Sequence, residues 1–188
     1  MGLRHYYISK ELARKNYNVF IVTASFSHLL SNPKVLKKSY QLDNIDGVNY
    51  VWIKTLKYEN AHSFKRILKW FQFSIKLYFL KYKKFIEKPD FIIGSSPEIF
   101  HLIPSFLLSR RFKSKFIFEV RDIWPLSLIK IGTLKDKNPL IFLMQKIERF
   151  AYKKADFVIS LLPNIESYLI ENNIYVEKLI LIPNGIDK

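Results

Sequence analysis

The sequence predicts an α/β fold, a doubly wound and mostly parallel sheet covered by helices. Three observations lead there. Six short apolar runs are separated by longer segments of helical periodicity. The runs are continuous rather than alternating, the pattern of strands buried on both faces. The chain has 188 residues, 49% of them hydrophobic, enough for one domain with a real core.

The elements follow in order. A helix is predicted over 4–16 and a strand over 19–24, where Val-Phe-Ile-Val-Thr-Ala is apolar throughout. A second strand is predicted over 48–53 and a long helix over 62–87. Strands at 91–94, 115–120, 157–160 and 179–182 then alternate with helices at 97–110, 139–154 and 164–172. Doubly wound folds usually open on a central strand and a glycine-bearing loop. Here the chain begins with the helix, and only Gly2 stands where that loop would be. The expectation is a fold without that first strand, or a chain without its natural beginning.

At about 100° per residue, Phe64, Ile67, Leu68, Phe71, Ile75, Tyr78, Tyr82, Phe85 and Ile86 share one stripe of the 62–87 helix, long enough to pack on the sheet. The opposite side carries Trp70, Phe73 and Leu77 among lysines that include Lys69 and Lys76. Rings set among cations suit a membrane surface. A second protein segment covering that side fits the same residues.

The net charge of +15 points to an anionic partner: nucleic acid, an acidic lipid surface or a phosphorylated substrate. AT-rich codon usage, which favours Lys, Ile, Asn, Tyr and Phe together, accounts for part of it. With no cysteine, disulfides and thiolate metal sites are excluded. The four histidines, His5, His28, His62 and His101, lack metal-ligand spacing, so no metal is expected. Walker-type, Gly-x-Gly-x-x-Gly, His-Glu-x-x-His and Gly-x-Ser-x-Gly patterns are missing. Lysines interrupt every candidate span and the N-terminus has no signal-like apolar core, so a cytoplasmic location is expected.

The most informative stretch is 118–125, Phe-Glu-Val-Arg-Asp-Ile-Trp-Pro. It ends an apolar strand with Glu119, Arg121 and Asp122. Open α/β sheets bind ligands at the carboxyl ends of their strands, so these side chains are candidate site residues. A surface salt-bridged turn fits them equally. Upstream, the strand at 91–94 runs into Ser95, Ser96, Pro97 and Glu98. Small residues there admit a ligand to the backbone, and Pro97 suits the first turn of a helix whose N–H groups can face an anion. An ordinary βα turn capped by Ser95 or Ser96 fits as well.

Together, Gly2-Leu-Arg-His-Tyr-Tyr-Ile-Ser-Lys-Glu-Leu12, Ala24-Ser-Phe-Ser-His28, Ile93-Gly-Ser-Ser-Pro97, 118–125, 146–156, Ser160-Leu-Leu-Pro163 and Ile182-Pro-Asn-Gly-Ile-Asp187 run in one order over almost the whole chain. In that order they resemble the N-terminal domain of the family 4 glycosyltransferases of GT-B fold. The nearest likeness is to the bacterial enzymes of surface polysaccharide (O-antigen, capsule, lipopolysaccharide) assembly, such as fucosamine transferases. The resemblance implies a Rossmann-like half of a GT-B fold over 1–182, with 183–188 opening the inter-domain hinge. It implies transfer from a nucleotide sugar, with retention and without a further cofactor, to a polyprenyl-diphosphate-linked sugar at the inner face of the plasma membrane. Gly2 would lie near the donor diphosphate. Arg4, His5, Ser95, Ser96 and Glu98 would bind the acceptor. Asp122, Glu119 and Arg121 would be catalytic, a carboxylate there orienting or deprotonating the acceptor hydroxyl.

The donor-binding domain with its Glu-x7-Glu-type motif is not among these residues. Since charge stabilisation in the transition state is usually the largest catalytic term, the expectation is that this chain alone is inactive. Two rival readings remain. One is the acceptor and membrane subunit of a split enzyme whose donor domain is a separate chain. The other is a basic nucleic-acid binder, which the core-facing positions of the aromatics disfavour.

Overall fold

The structure, a computed structural model, describes residues 3–27, 33–58, 64–131 and 137–185. The chain forms two compact units, Met1–Leu77 and Tyr78–Lys188.

The first unit contains helix α1 (Leu3–Arg14), strands β1 (Phe20–Ala24), β2 (Tyr40–Ile45) and β3 (Val48–Ile53), and most of helix α2 (Phe64–Phe79). The sheet order is β1-β3-β2, with β1 parallel and β2 antiparallel to β3. Strand β2 is not among the strands that the sequence predicts. Its Tyr-Gln-Leu-Asp-Asn-Ile run is half polar, as befits a strand exposed at a sheet edge. The signal that gives it away is Asp46-Gly47, both at positive φ (52° and 83°), the dipeptide preferred in two-residue hairpin turns. Leu36, Val48, Tyr50 and Trp52 form the core, with Ala13, Val19 and Ile21 packed against it. Tyr50 and Trp52 stack at 5.4 Å. Tyr6 of α1 donates to the Asp46 carboxylate, which fixes the helix to the hairpin turn.

Helix α2 reverses an expectation. Of the face predicted to meet a membrane, Lys69, Trp70 and Leu77 are buried, and Phe73 and Lys76 are half-buried. The cause is the segment before the helix. Gln72 Oε1 accepts from the Leu56 N–H at 2.8 Å, and Lys76 Nζ donates to the Lys54 carbonyl at 2.6 Å. Lys69 Nζ lies 5.8 Å from the centre of the Tyr58 ring. These contacts turn that face inward. Of the stripe predicted to pack, Phe64, Leu68, Phe71 and Ile75 are therefore exposed, up to 69% at Phe64, while Ile67 and Tyr78 are half-buried and Tyr82 is buried. Both stripes are apolar, so periodicity alone could not choose between them. The helix also stops at Phe79, and Tyr82–Lys84 is a separate 3-10 turn.

The second unit is built on a four-stranded, wholly parallel sheet, β4 (Phe91–Ser95), β5 (Lys115–Val120), β6 (Phe157–Ser160) and β7 (Leu179–Leu181), in that order. Helix α3 (Leu102–Phe112) follows β4. Helices α4 (Leu126–Lys130) and α5 (Pro139–Lys154) follow β5, and α6 (Ile165–Glu171) follows β6. This is the α/β class with parallel strands that the sequence predicts. Asn138 caps α5, its Oδ1 accepting from the Leu140 N–H at 2.9 Å, with Pro139 in the first turn. Helices α3 and α5 pack on each other and on the sheet. Phe106 of α3 meets Phe116 of β5 and Phe150 of α5 edge to face at 5.9 and 5.3 Å. Phe116, Phe118, Leu102, Ile141 and Met144 are buried in this core. Gly94 admits α3 to β4, because a Cβ there would stand 2.6 Å from Leu102 Cδ2. At the amino ends of β5 and β6, Asp156 accepts from the Phe116 N–H and the Lys115 ammonium. Burial pushes its carboxyl up, but these two donors outweigh that and hold it below its ordinary value.

Among the described residues, β1 pairs only with β3 and β4 only with β5, so each is the edge of its own sheet.

Candidate functional site

Parallel pairing brings the polar ends of β4 and β5 together. Ser95 and Glu119 are register partners, on the same face of neighbouring strands. The Ser95 hydroxyl donates to Glu119 Oε2 at 2.6 Å. Glu119 is buried, 5% exposed, and Ser95 is half-buried. The carboxylate is thus held inside the end of the sheet with a hydroxyl over it.

The next residue does something different. Ser96 is 1% exposed, and its Oγ accepts from the N–H groups of Arg121 (2.8 Å) and Asp122 (3.0 Å) while donating to the Asp122 carbonyl (2.9 Å). All of its hydrogen-bonding capacity goes to the turn after β5. This corrects the expectation that Ser96 binds an acceptor. Asp122 is also held internally. Its Oδ2 accepts from Trp124 Nε1 at 3.0 Å, and its Oδ1 accepts from the Ser127 hydroxyl of α4. Expected as a catalytic base, Asp122 instead ties the turn to α4, with both carboxylate oxygens engaged.

Arg121 stands between these anchored groups. It is half-buried, its Nε is shielded from solvent, and that Nε has no hydrogen-bond partner. Among the described residues its guanidinium forms no ion pair. A shielded N–H without a partner loses a hydrogen bond to water that nothing in the protein replaces.

Glu98 is half-buried in the loop that follows Pro97. The expected helix over 97–110 begins at Leu102, and His101 at its N-cap makes no side-chain capping bond. No helix terminus therefore opens at Ser95-Ser96-Pro97, and neither serine is a cap. Arg4 and His5 lie half-buried on α1 in the first unit. Gly2, His28 and His62 lie outside the described residues.

One buried acid is not among the residues that the sequence motifs single out. Glu148 of α5 is 3% exposed, and the Tyr168 hydroxyl of α6 lies 3.0 Å from both of its oxygens. Burial raises its pKa to about 7, against the Tyr168 hydrogen bond and the Arg149 charge, which lower it. Tyr152, one turn on, is buried with an unpartnered hydroxyl, and burial pushes its phenol up. The signal was present: Glu148 sits in the stripe Ile141, Met144, Ile147 and Ala151, where an acid interrupts an apolar face.

Among the described residues, no group of three or more His, Asp or Glu could hold a metal ion. No helix among the described residues is long and apolar enough to cross a membrane.

Compared with known proteins, residues 4–188 match the model of one family, described as Glycosyltransferase Family 4. No curated protein matches the chain.

Proposed function

The chain belongs to glycosyltransferase family 4, and from that membership we propose that the carboxyl edge of β4 and β5 is the acceptor side of a sugar-transfer site. The donor is a nucleotide sugar. The acceptor is a polyprenyl-diphosphate-linked sugar of bacterial surface polysaccharide, met at a membrane surface. One observation carries the reading: Arg121, two residues beyond Glu119 at the end of β5, has a solvent-shielded Nε without a hydrogen-bond partner and forms no ion pair among the described residues. A planar guanidinium suits a phosphate group, two of whose oxygens it can meet with two parallel hydrogen bonds.

In this reading Arg121 holds the diphosphate of the acceptor, while Ser95 and Glu119 orient the sugar hydroxyl. The hydroxyl oxygen bonds to the anomeric carbon as the bond from that carbon to the nucleotide diphosphate breaks. The hydroxyl proton passes to the departing phosphate oxygen, and configuration is retained. No protein base has to keep the proton, which accords with Asp122 being fully engaged elsewhere. Groups that stabilise the departing diphosphate belong to a second, donor-binding domain in the family the chain resembles, and transfer requires that domain in cis or in trans.

The test is direct titration of the purified chain with a short-chain prenyl-diphosphate-linked sugar. Arg121→Ala is expected to weaken binding at least about tenfold, and Arg121→Lys to recover only part of it. Unchanged binding by Arg121→Ala would overturn the assignment. In a radiolabelled transfer assay the chain alone is expected to give no product, and turnover would remove the division between acceptor and donor sides.

A further inference from the structure

Helix α2 keeps an apolar line open to solvent that the transfer reading leaves unused. It consists of Phe64, Leu68, Phe71, Ile75 and Phe79, from 39% exposed at Phe71 to 73% at Phe79. At about 100° per residue these five fall within an arc of about 80°. From Phe64 to Ile75 they are spaced four, three and four residues apart, the heptad spacing of a coiled-coil seam. The helix has 16 residues, which at roughly 1.5 Å per residue makes it about 24 Å long.

We propose that this line is a self-association surface, on which α2 packs antiparallel against α2 of a second copy of the chain.

The order of the side chains is the first reason. Read from either end, the line runs ring, aliphatic, ring, aliphatic, ring. A two-fold contact needs one surface that complements itself. Turned about a two-fold axis beside Phe71, Phe64 comes opposite Phe79 of the second copy, and Leu68 opposite Ile75. The two Phe71 rings then meet at the axis. Side chains of like size face each other at every level of the seam, so neither end is left over.

Charge is the second. Helix α2 has no acidic residue, and its cations leave the seam nearly clear. Lys69 is buried, and Lys76 donates to the Lys54 carbonyl. Arg66 is half-buried, its guanidinium 5.1 Å from the centre of the Trp70 ring. Lys65 is the one exposed cation of the helix. In the antiparallel pair Lys65 comes opposite Tyr78 of the second copy, so the two lysines stand about 20 Å apart. That is more than twice the screening length of about 8 Å in physiological salt. In a parallel pair they would be neighbours and repel. A lipid surface calls for the opposite arrangement, a broad apolar face bordered by outward cations. Here the exposed arc is narrow and most of the cations are turned into the protein.

The inference does not depend on the transfer reading, because self-association needs neither donor nor acceptor. Sedimentation equilibrium of the purified chain is expected to show monomer and dimer in exchange. The dimer should strengthen as salt rises, since screening relieves the repulsion between two chains of net charge +15. Leu68→Glu and Ile75→Glu are each expected to weaken it at least about tenfold, because each removes a buried aliphatic side chain from the seam. Ile170→Glu, at an exposed residue of α6, is expected to leave it unchanged. Circular dichroism checks that the variants fold. The chain has no cysteine, so single cysteines report the orientation without any glutamate variant. Phe71→Cys is expected to give a disulfide-linked dimer on oxidation. Phe64→Cys is expected to do so only when mixed with Phe79→Cys. A chain that stays monomeric at every concentration, or a dimer weakened equally by Ile170→Glu, would overturn the proposal. Phe64→Cys linking to itself would also overturn it, since that requires a parallel pair. So would a monomer that binds phospholipid vesicles and loses that binding in both α2 glutamate variants, which would assign the line to lipid.

Discussion

The Ser95 hydroxyl and the Glu119 carboxylate face each other across the last register pair of β4 and β5, 2.6 Å apart. A buried carboxylate at a sheet end keeps its charge only with donors around it. Ser95→Ala removes one donor and is expected to lower stability by about 1–2 kcal/mol. Ser95→Thr keeps the hydroxyl and should recover most of this. Denaturant unfolding of the three proteins decides it, and equal midpoints for Ser95→Ala and the parent would show that the pair contributes nothing.

The neighbouring serine has a purely positional part. Ser96 Oγ is the acceptor for two successive backbone N–H groups, those of Arg121 and Asp122. Ser96→Ala leaves both without that acceptor at a buried position, at a cost of about 1–3 kcal/mol. It should also loosen the turn that holds Arg121, so prenyl-diphosphate binding falls although Ser96 itself touches no ligand. Asp122→Ala acts on the same turn by releasing Trp124 and Ser127. The double variant is therefore expected to lose less than the sum of the single losses, and strict additivity would show two independent anchors.

Helix α3 is seated by an absence. A methyl group on Gly94 would stand 2.6 Å from Leu102 Cδ2 and 3.4 Å from the Phe116 ring, and both side chains are fully buried. Gly94→Ala is expected to cost about 1–3 kcal/mol by overpacking. Leu102→Val in that background should return part of it, whereas in the parent the same change destabilises. Thermal unfolding of the four proteins closes the cycle, and a Gly94→Ala protein as stable as the parent would refute the packing account.

The sequence made some of this visible and hid the rest for identifiable reasons. Strand β5 was legible because Phe116, Ile117 and Phe118 are continuously apolar, and the charges of Glu119, Arg121 and Asp122 mark where it ends. The roles of those charges were not legible. Ser95 and Ser96 are identical residues side by side, yet alternation along the strand sends one to Glu119 and the other to the turn. Asp122 looks as free as Glu119 until Trp124 and Ser127 fold back on it. Helix α2 was visible as a helix, but its two apolar stripes left the choice of face to Leu56, Lys54 and Tyr58, whose contacts lie outside any periodicity. Strand β2 was missed because its polar half masked it, although Asp46-Gly47 marked the turn.

Glu148 makes the stability of the second unit depend on pH in a defined sense. An ordinary glutamate loses its proton near 4.5, whereas burial keeps Glu148 protonated up to about 7 in the fold. Between these values the folded chain binds more protons than the unfolded one, so this residue's contribution to stability falls as pH rises from about 4.5 to about 7, and then levels. Below 4.5 both states are protonated and the penalty vanishes. The full drop is roughly 3 kcal/mol, at about 1.4 kcal/mol per pH unit. Glu148→Gln keeps an acceptor for the Tyr168 hydroxyl but does not titrate. The variant should match the parent in acid and exceed it by about 2–3 kcal/mol above neutrality. Taking the difference between the two proteins at each pH removes the contribution of every other titrating group. A difference that stays constant with pH would mean that Glu148 ionises in the fold as it does in the open chain, and that its burial against Tyr168 carries no electrostatic cost.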